Sequence, residues 1–421
     1  MTAKQVFTGV KVVDFTWAAT GPQINRELAE HGATVVRVES HRRPDIFRVA
    51  PPFRDGKPGF NRSAYYATYN NDKLGMTLDL SKPKGKEVGL RLALWADIVT
   101  DSMTPGTMKR WGLDYDSLKV HKPDTIMYST TQQGHHGPYS PFGSYGWAAA
   151  AMSGFHVLAG WPDRGPAYLY EAYNDYVAPW YMIITLIAAL DYRRRTGKGL
   201  FLEQSQIEAG VNFLGPAVLD YAVNGKIASR AGNLDPNMAP HGAYPCLSLS
   251  GKDLGRDRWC TIAVRTDEEW QALCRAMGDP EWTQSPKFAT LLSRKENEEE
   301  LDRLIGEWTK DYTAEQAMAA LQAAGVPAGV ILTSEDLFKD AQFKHRQHYR
   351  LLPHKVIGPH HYQAPAYKLS KTPAHIWRPG PCMGEDNEYV YKELLGFSDS
   401  EVADLLAEGV ITTDADVPPG F

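Results

Sequence analysis

The stretch VKVVDFTWAATGPQINRELAEHGATVVRVE, residues 10–39, decides the fold class. Val10 to Phe15 is a short β-rich apolar run, the signature of a strand buried on both faces. Pro22 to Glu30 reads as a helix with proline in its first turn and Gly32 past its end. Thr34 to Glu39 is a second strand, so the unit is β-α-β. The alternation continues outward through Met76 to Leu80, a helix from about Pro83 to Ala96, Ile98 to Thr100 and Thr125 to Thr130. Strands that alternate with helices predict a parallel sheet, and the fold class is α/β.

The rest of the chain adds a second body. Ser40 to Asn71 carries proline, glycine, arginine and aromatics without periodicity and reads as a long ordered loop. Gly146 to Gly154 and Val177 to Arg195 read as helices, the second closing on Arg193, Arg194, Arg195 and Gly197. Cations there suit a helix C-terminus, so a capped end accounts for them. Phe201 to Gln204 is a strand and Ser205 to Val223 a helix. Near Asn224 the composition changes, and Ala243 to about Ile331 reads as a strand (Cys260 to Val264) and helices around Glu268 to Met277, Glu298 to Thr309 and Ala314 to Ala324. The expected division is 1–224 with 332–421 in a large domain and 225–331 in a small α/β domain. After Asp340 little periodicity remains until a capped helix at Asp399 to Glu408.

Composition narrows the function. The 421 residues carry 45 basic and 50 acidic side chains, net −5, which is not a nucleic-acid binder's balance. Val177 to Leu190 is apolar but only 14 residues long, too short for a bilayer, and reads as a buried helix. Residues 1–14 lack a signal-peptide pattern, so a cytoplasmic location is expected. The four cysteines match no metal or redox spacing. Neither His135-His136 nor His360-His361 has the i, i+4 spacing of a helical metal pair, so no metal is expected. The loop Thr16 to Pro22 lacks G-x-G-x-x-G, and no P-loop or G-x-S-x-G elbow occurs. Gly21 there is either a turn glycine or a place where backbone approaches a ligand.

Asp175 stands apart among the carboxylates. In Tyr173-Asn174-Asp175-Tyr176 it sits where an irregular segment meets the most apolar helix. One reading is an N-cap. The other is a nucleophile in a dry site, where desolvation sharpens reactivity while helix N–H groups hold its pKa low. A cap can also be a nucleophile, so the residues alone leave both open.

Several segments, taken in order, resemble the class III CoA-transferase family of formyl-CoA, carnitine and benzylsuccinate CoA-transferases, which also contains the α-methylacyl-CoA racemases. They are DFTWAATGP (14–22), HGATVVRVE (31–39), NNDKLGMTLDLS (70–81), TPGTMKRWGLDYDSL (104–118), NDYVAPWY (174–181) and ALDYRRRTGKG (189–199). GAYPC (242–246), AAGVPAGVI (323–331) and LGFSDSEVADLLAEGVI (395–411) extend the likeness over nearly the whole chain. The resemblance implies a Rossmann-like large domain built from both chain ends, a smaller inserted domain, and two chains interlocked like rings, as a homodimer or a heterodimer of homologous subunits. It lays the family's aspartate nucleophile on Asp175. It also implies a coenzyme A thioester as substrate, with no permanently bound cofactor. Contacts to CoA are then expected from the Trp17-Ala18-Ala19 turn, Arg42, Arg43, Lys73, Met103, Lys109 and Arg110, and walls and donors from Tyr173, Tyr176 and Gly242.

Departures sharpen the expectation. Ser102-Met103 replaces the family's usual Asn-Phe, putting a thioether where a ring packs on adenine. The glycine run of the closing loop is reduced to Gly232 and Gly242. Tyr145-Gly146 stands where racemases carry His-Asp, which removes the proton-shuttling base. The expected reaction is CoA transfer from an acyl-CoA, succinyl-CoA foremost, to a carboxylic acid, with a benzylsuccinate-like dicarboxylate as the narrower acceptor. The alternatives are an α-methylacyl-CoA racemase or epimerase and a non-catalytic CoA-binding subunit of a hetero-oligomeric transferase.

Overall fold

The computed structural model describes residues 4–169, 172–248 and 257–417. The chain divides into two compact units. The first comprises the chain up to His156, Tyr168–Ile227 and everything from Ala341 onward; the second comprises Val157–Ala167 and Ala228–Asp340.

The first unit is built on six parallel strands: β1 (Lys11–Phe15), β2 (Thr34–Glu39), β3 (Leu74–Thr77), β4 (Ile98–Asp101), β5 (Ile126–Thr131) and β6 (Leu200–Ser205). Their spatial order is β3-β2-β1-β4-β5-β6. Val12 pairs with Val35 on one side and Ile98 on the other. Alternate residues face opposite ways along a strand. Val12, Val35, Ile98 and Ile126 therefore pack with Ile24, Leu28, Met182 and Leu186, whereas Val13, Val36, Val99 and Met127 pack with Leu92, Tyr391, Leu405 and Val410. Both faces are covered, which explains the continuous apolar strands. The second of these cores draws on residues near the C-terminus, so both chain ends build this unit. Order reverses between β1 and β4, and in open α/β sheets the loops leaving the carboxyl ends of such strands frame a crevice.

The second unit is an antiparallel sheet, β7 (His241–Cys246), β8 (Arg258–Ala263) and β9 (Ala328–Val330), with β8 central. Helices Asp267–Ala276, Glu298–Thr309 and Ala314–Ala323 pack Trp270, Leu273, Leu301, Ile305 and Leu321 against Ile262 and Cys260.

Several expectations are corrected. The 40–71 stretch is not all loop: Ala64–Tyr69 is a helix capped by the Ser63 hydroxyl. The expected single helix over 205–223 breaks into Gln206–Phe213 and Gly215–Asn224, because Pro216 favours a new first turn over continuation. The region after Asp340 contains an antiparallel hairpin, β10 (Tyr349–His354) and β11 (Gly358–Gln363). The apolar run at 177–190 lies in the helix Tyr173–Thr196, which is buried on one face only. Val177, Met182 and Leu186 are inside, while Ile184 is 68 % exposed with Trp180, Tyr181 and Ile187 beside it. The arginines at its end do sit before a left-handed Gly197, with Arg194 and Arg195 paired to Asp191. No described helix is long and apolar enough to cross a membrane.

Candidate active site

The loops that leave β1 and β4 open a cavity of about 420 Å³ in the first unit. Trp17, Ala18, Ala19 and Thr20 line it from the β1 loop, and Ser102, Met103 and Thr104 from the β4 loop. Arg42 and Arg43 after β2, Thr130 and Gln132 at the end of β5, and Phe142, Tyr145 and Gly146 complete the wall around Asp175. A second cavity of about 550 Å³ shares Trp17, Arg42, Arg43, Ser102, Met103 and Thr104 and extends to Ser81, Thr107, Arg110 and Trp111.

A buried charge network holds the β1 loop. Arg37, in the middle of β2, is fully buried and meets Asp14, Asp45 and the Thr16 carbonyl. Asp14 accepts from the Thr16 amide at 2.9 Å, Asp45 from the Ala18 amide at 3.1 Å, and Ser102 Oγ from the Trp17 amide at 2.8 Å. These bonds fix Ala18 at φ 60°, a conformation uncommon for a residue with a Cβ. Gly21 is no turn glycine. It lies inside the helix Thr20–Glu30, where a Cβ would collide with the Thr16 side chain.

Asp175 lies in the first turn of the helix Tyr173–Thr196, whose N-cap is Ala172, and the carboxyl caps nothing. The cap reading is thereby corrected. Pro179 has no N–H to return to the Asp175 carbonyl, so this turn carries one backbone bond fewer. Asp175 is partly buried and lines the cavity. Thr20 Oγ1 lies 3.2 Å from Asp175 Oδ1. Gly146 packs so closely that a Cβ there would fall 2.5 Å from the same oxygen. Burial pushes the Asp175 pKa up from 3.8 to about 7, with the Thr20 hydroxyl opposing the rise. The expectation of a pKa held low is corrected, because no cation pairs with this carboxylate among the described residues and the helix amides do not offset desolvation.

The basic residues separate. Arg43 lies over the Trp17 ring, 5.0 Å from its centroid, and lines both cavities. Arg42 lines both while pairing with Asp79 and Asp416 at 3.1 and 2.9 Å. Arg110 lines the second cavity and bonds Thr107 at 2.8 Å. Lys109, exposed on the same short helix, lines neither. Lys73 lines neither cavity. It is fully buried, with Nζ 2.9 Å from Asp14 Oδ2, the Pro22 carbonyl and Asn70 Oδ1. Burial alone would raise the Asp14 pKa, but Lys73, Arg37 and Thr16 hold it at about 2. Lys73 therefore supports the strand end beneath the β1 loop. Tyr173 and Tyr176 are also displaced from their expected place, lining a separate apolar depression with Trp180, Tyr181, Ile184 and Phe213. Gly242 lies on β7 in the second unit.

Sequence reasoning passed over Thr20, Ser102 as a hydrogen-bond partner, Trp111 and the Arg37 network. The last left a signal: an arginine inside an otherwise apolar strand, TVVRVE, must find buried partners. No cluster suited to a metal ion occurs among the described residues.

A carboxylate without a fixed counter-ion among the described residues, beside a cavity lined by aromatic side chains and by Arg42 and Arg43, suits covalent attack on an ester of an anionic carrier. Comparison with known proteins identifies the family. The profile of CoA-transferase family III matches residues 7–387. A succinyl-CoA–D-citramalate CoA-transferase of Chloroflexus aurantiacus is 31 % identical over 96 % of this chain and 97 % of its own. A succinate–glutarate CoA-transferase of Agrobacterium fabrum is 29 % identical over 93 % and 96 %. The crystal structure of a CAIB/BAIF family protein from Brucella suis superposes with a TM-score of 0.83 at 31 % identity, covering 93 % of this chain and all of that one. The chain is an enzyme of the class III CoA-transferase family.

Proposed function

We propose that this enzyme moves CoA from succinyl-CoA to a dicarboxylic acid, with Asp175 as nucleophile. The observation that carries the reading is the placement of an unpaired, desolvated carboxyl beside the cavity at the β1–β4 switch point. Asp175 attacks the thioester carbonyl, a mixed anhydride forms and CoA leaves as thiolate. The thiolate then attacks the aspartyl carbon, releasing the donor acid and leaving an aspartyl-CoA thioester. The acceptor carboxylate repeats these steps in reverse. Desolvation raises the reactivity of the carboxylate once it is ionised, and the raised pKa leaves it able to gain and lose a proton near neutral pH.

The second cavity takes the nucleotide end of CoA. Met103 and Trp111 supply apolar surface for adenine, while Arg42, Arg43 and Arg110 face its phosphates. Gly146 opens the helix Gly146–Met152 against Asp175, and the first amides of a helix lack intrahelical acceptors, which makes them candidate oxyanion donors. Two relatives act on dicarboxylates, citramalate and glutarate. Trp17, Phe142 and Tyr145 in the wall favour an acceptor with an aryl group, such as benzylsuccinate. The exposed apolar face around Ile184 is read as the surface covered by the second chain of an interlocked dimer.

The test is a transfer assay with succinyl-CoA and a panel of D-citramalate, L-malate, glutarate and benzylsuccinate, with products followed by liquid chromatography. New acyl-CoA with stoichiometric succinate supports the reading. Exchange of an α-deuterium from solvent into an acyl-CoA without an acceptor, and no transfer to any acid, refutes it.

A further inference from the structure

We propose that Thr20 is a second catalytic group, whose hydroxyl first orients the Asp175 carboxylate and then donates to the same oxygen when it becomes the oxyanion of the tetrahedral intermediate at Asp175 Cγ. This rests on the nucleophile reading above. Acyl transfer through an aspartyl anhydride has two kinds of reacting carbon, the substrate's acyl carbon and the enzyme's own Cγ. Each needs a donor when it becomes tetrahedral.

The geometry singles out Thr20 for the second. Its hydroxyl is the one side-chain hydrogen-bond partner of the Asp175 carboxyl among the described residues, at 3.2 Å from Oδ1. Thr20 is 3 % exposed and is the first residue of the helix Thr20–Glu30, which is braced at its start by Gly21 against Thr16. The donor is therefore carried on a rigid element and already points at a reacting atom. The Gly146 amide, at the helix start packed on Asp175, is left for the oxyanion on the substrate's acyl carbon, and the tyrosines and arginines nearby are committed elsewhere or stand off. Tyr69 and Tyr176 hydrogen-bond each other, Tyr65 lies 3.2 Å from the Tyr176 hydroxyl, and Arg42 and Arg43 line the cavity without pairing to Asp175.

With Oδ1 held by Thr20, Oδ2 is the oxygen that attacks the thioester and bridges the anhydride. CoA thiolate then forms a C–S bond to Cγ, and the Cγ–Oδ1 π pair moves onto Oδ1, where the Thr20 hydrogen bond receives it. The pair returns, the Cγ–Oδ2 bond breaks, and the donor acid departs as a carboxylate carrying Oδ2. One negative charge enters and one leaves. Thr20 keeps its proton throughout. The acceptor carboxylate later attacks the same Cγ and expels thiolate against the same donor.

The test compares wild type, Thr20→Val, Thr20→Ser and Asp175→Asn as full chains with succinyl-CoA and an accepted acid. For Thr20→Val we expect kcat to fall about 100-fold, the size of losing one oxyanion donor, with KM for succinyl-CoA within about twofold. The acidic limb of kcat/KM should move to higher pH, because the ionised carboxyl loses the Thr20 hydrogen bond. The borohydride-reducible aspartyl thioester should form more slowly in stopped mixtures, and Thr20→Ser should recover most of the rate. If valine at this position does not fold, Thr20→Ala carries the same expectation. A Thr20→Val enzyme with wild-type kcat and pH limb, beside an inactive Asp175→Asn, overturns the Thr20 role and leaves the nucleophile standing. Full transfer by Asp175→Asn overturns the nucleophile reading and this proposal with it.

Discussion

Replacing Asp175 by asparagine should make the protein more stable at neutral pH, and the gain should grow with pH. Burial raises this carboxyl from 3.8 to about 7, so the folded state binds the proton more tightly than the unfolded state. A group of that kind leaves stability intact below about pH 4 and removes it progressively as pH rises towards 7. The shift spans about three pH units, and at about 1.4 kcal/mol per unit the loss approaches about 4 kcal/mol. Because Asp175 borders an open cavity, water screens part of this, and about 2–3 kcal/mol is the expected difference. Asparagine does not titrate and escapes the loss. Urea unfolding of both proteins at pH 4.5, 6, 7 and 8 measures it. Asp101, raised by burial to about 7, and Glu30, raised by burial and by its acidic neighbours to about 8, titrate in both proteins and cancel in the comparison. A stability gap that stays flat across this range, or favours wild type increasingly with pH, refutes the claim that Asp175 is held in a desolvating site.

Other substitutions probe the surroundings. Gly146→Ala introduces a methyl 2.5 Å from both Asp175 Oδ1 and the Ala172 Cβ and should displace the carboxyl, lowering kcat about 100-fold in steady-state assays and costing about 1–3 kcal/mol in urea unfolding. Arg43→Ala removes a cation shared by both cavities and should raise KM for succinyl-CoA about tenfold, with kcat close to wild type, when initial rates are measured against donor concentration. Lys73→Met strands Asp14 with only Arg37 as counter-ion and should cost about 3–5 kcal/mol in urea unfolding, with KM for succinyl-CoA unchanged in the folded fraction.

The parallel sheet was legible because its strands are buried on both faces and read as unbroken apolar runs, Val12-Val13 and Val35-Val36 among them. The β10–β11 hairpin was not, because Pro353 and Pro359 interrupt strand patterning. In a two-stranded ribbon they pair opposite one another, where prolines are tolerated. The helix run at 177–190 misled in a different way: apolar residues on both faces suggest full burial, but only one face meets the core. At the site, chain order and segment likeness pointed to Asp175, Arg43 and Met103, all of which line the cavity. Lys73 has the residue type of a phosphate contact, yet Asp14, 59 positions away in sequence, captures it. Thr20 was illegible for the same reason, since its partner lies 155 residues further along. Local patterns report which face of an element is apolar; they do not report which polar atoms long-range topology brings together.

The central claim, a covalent bond between substrate and one aspartate, has a direct measurement. The protein is incubated with succinyl-CoA, quenched with hydroxylamine and digested, and its peptides are mapped by mass spectrometry. The account predicts a hydroxamate on Asp175, formed only when the thioester is present and absent from Asp175→Asn. Catalytic transfer with no modification at Asp175, or with the modification on another residue, contradicts it.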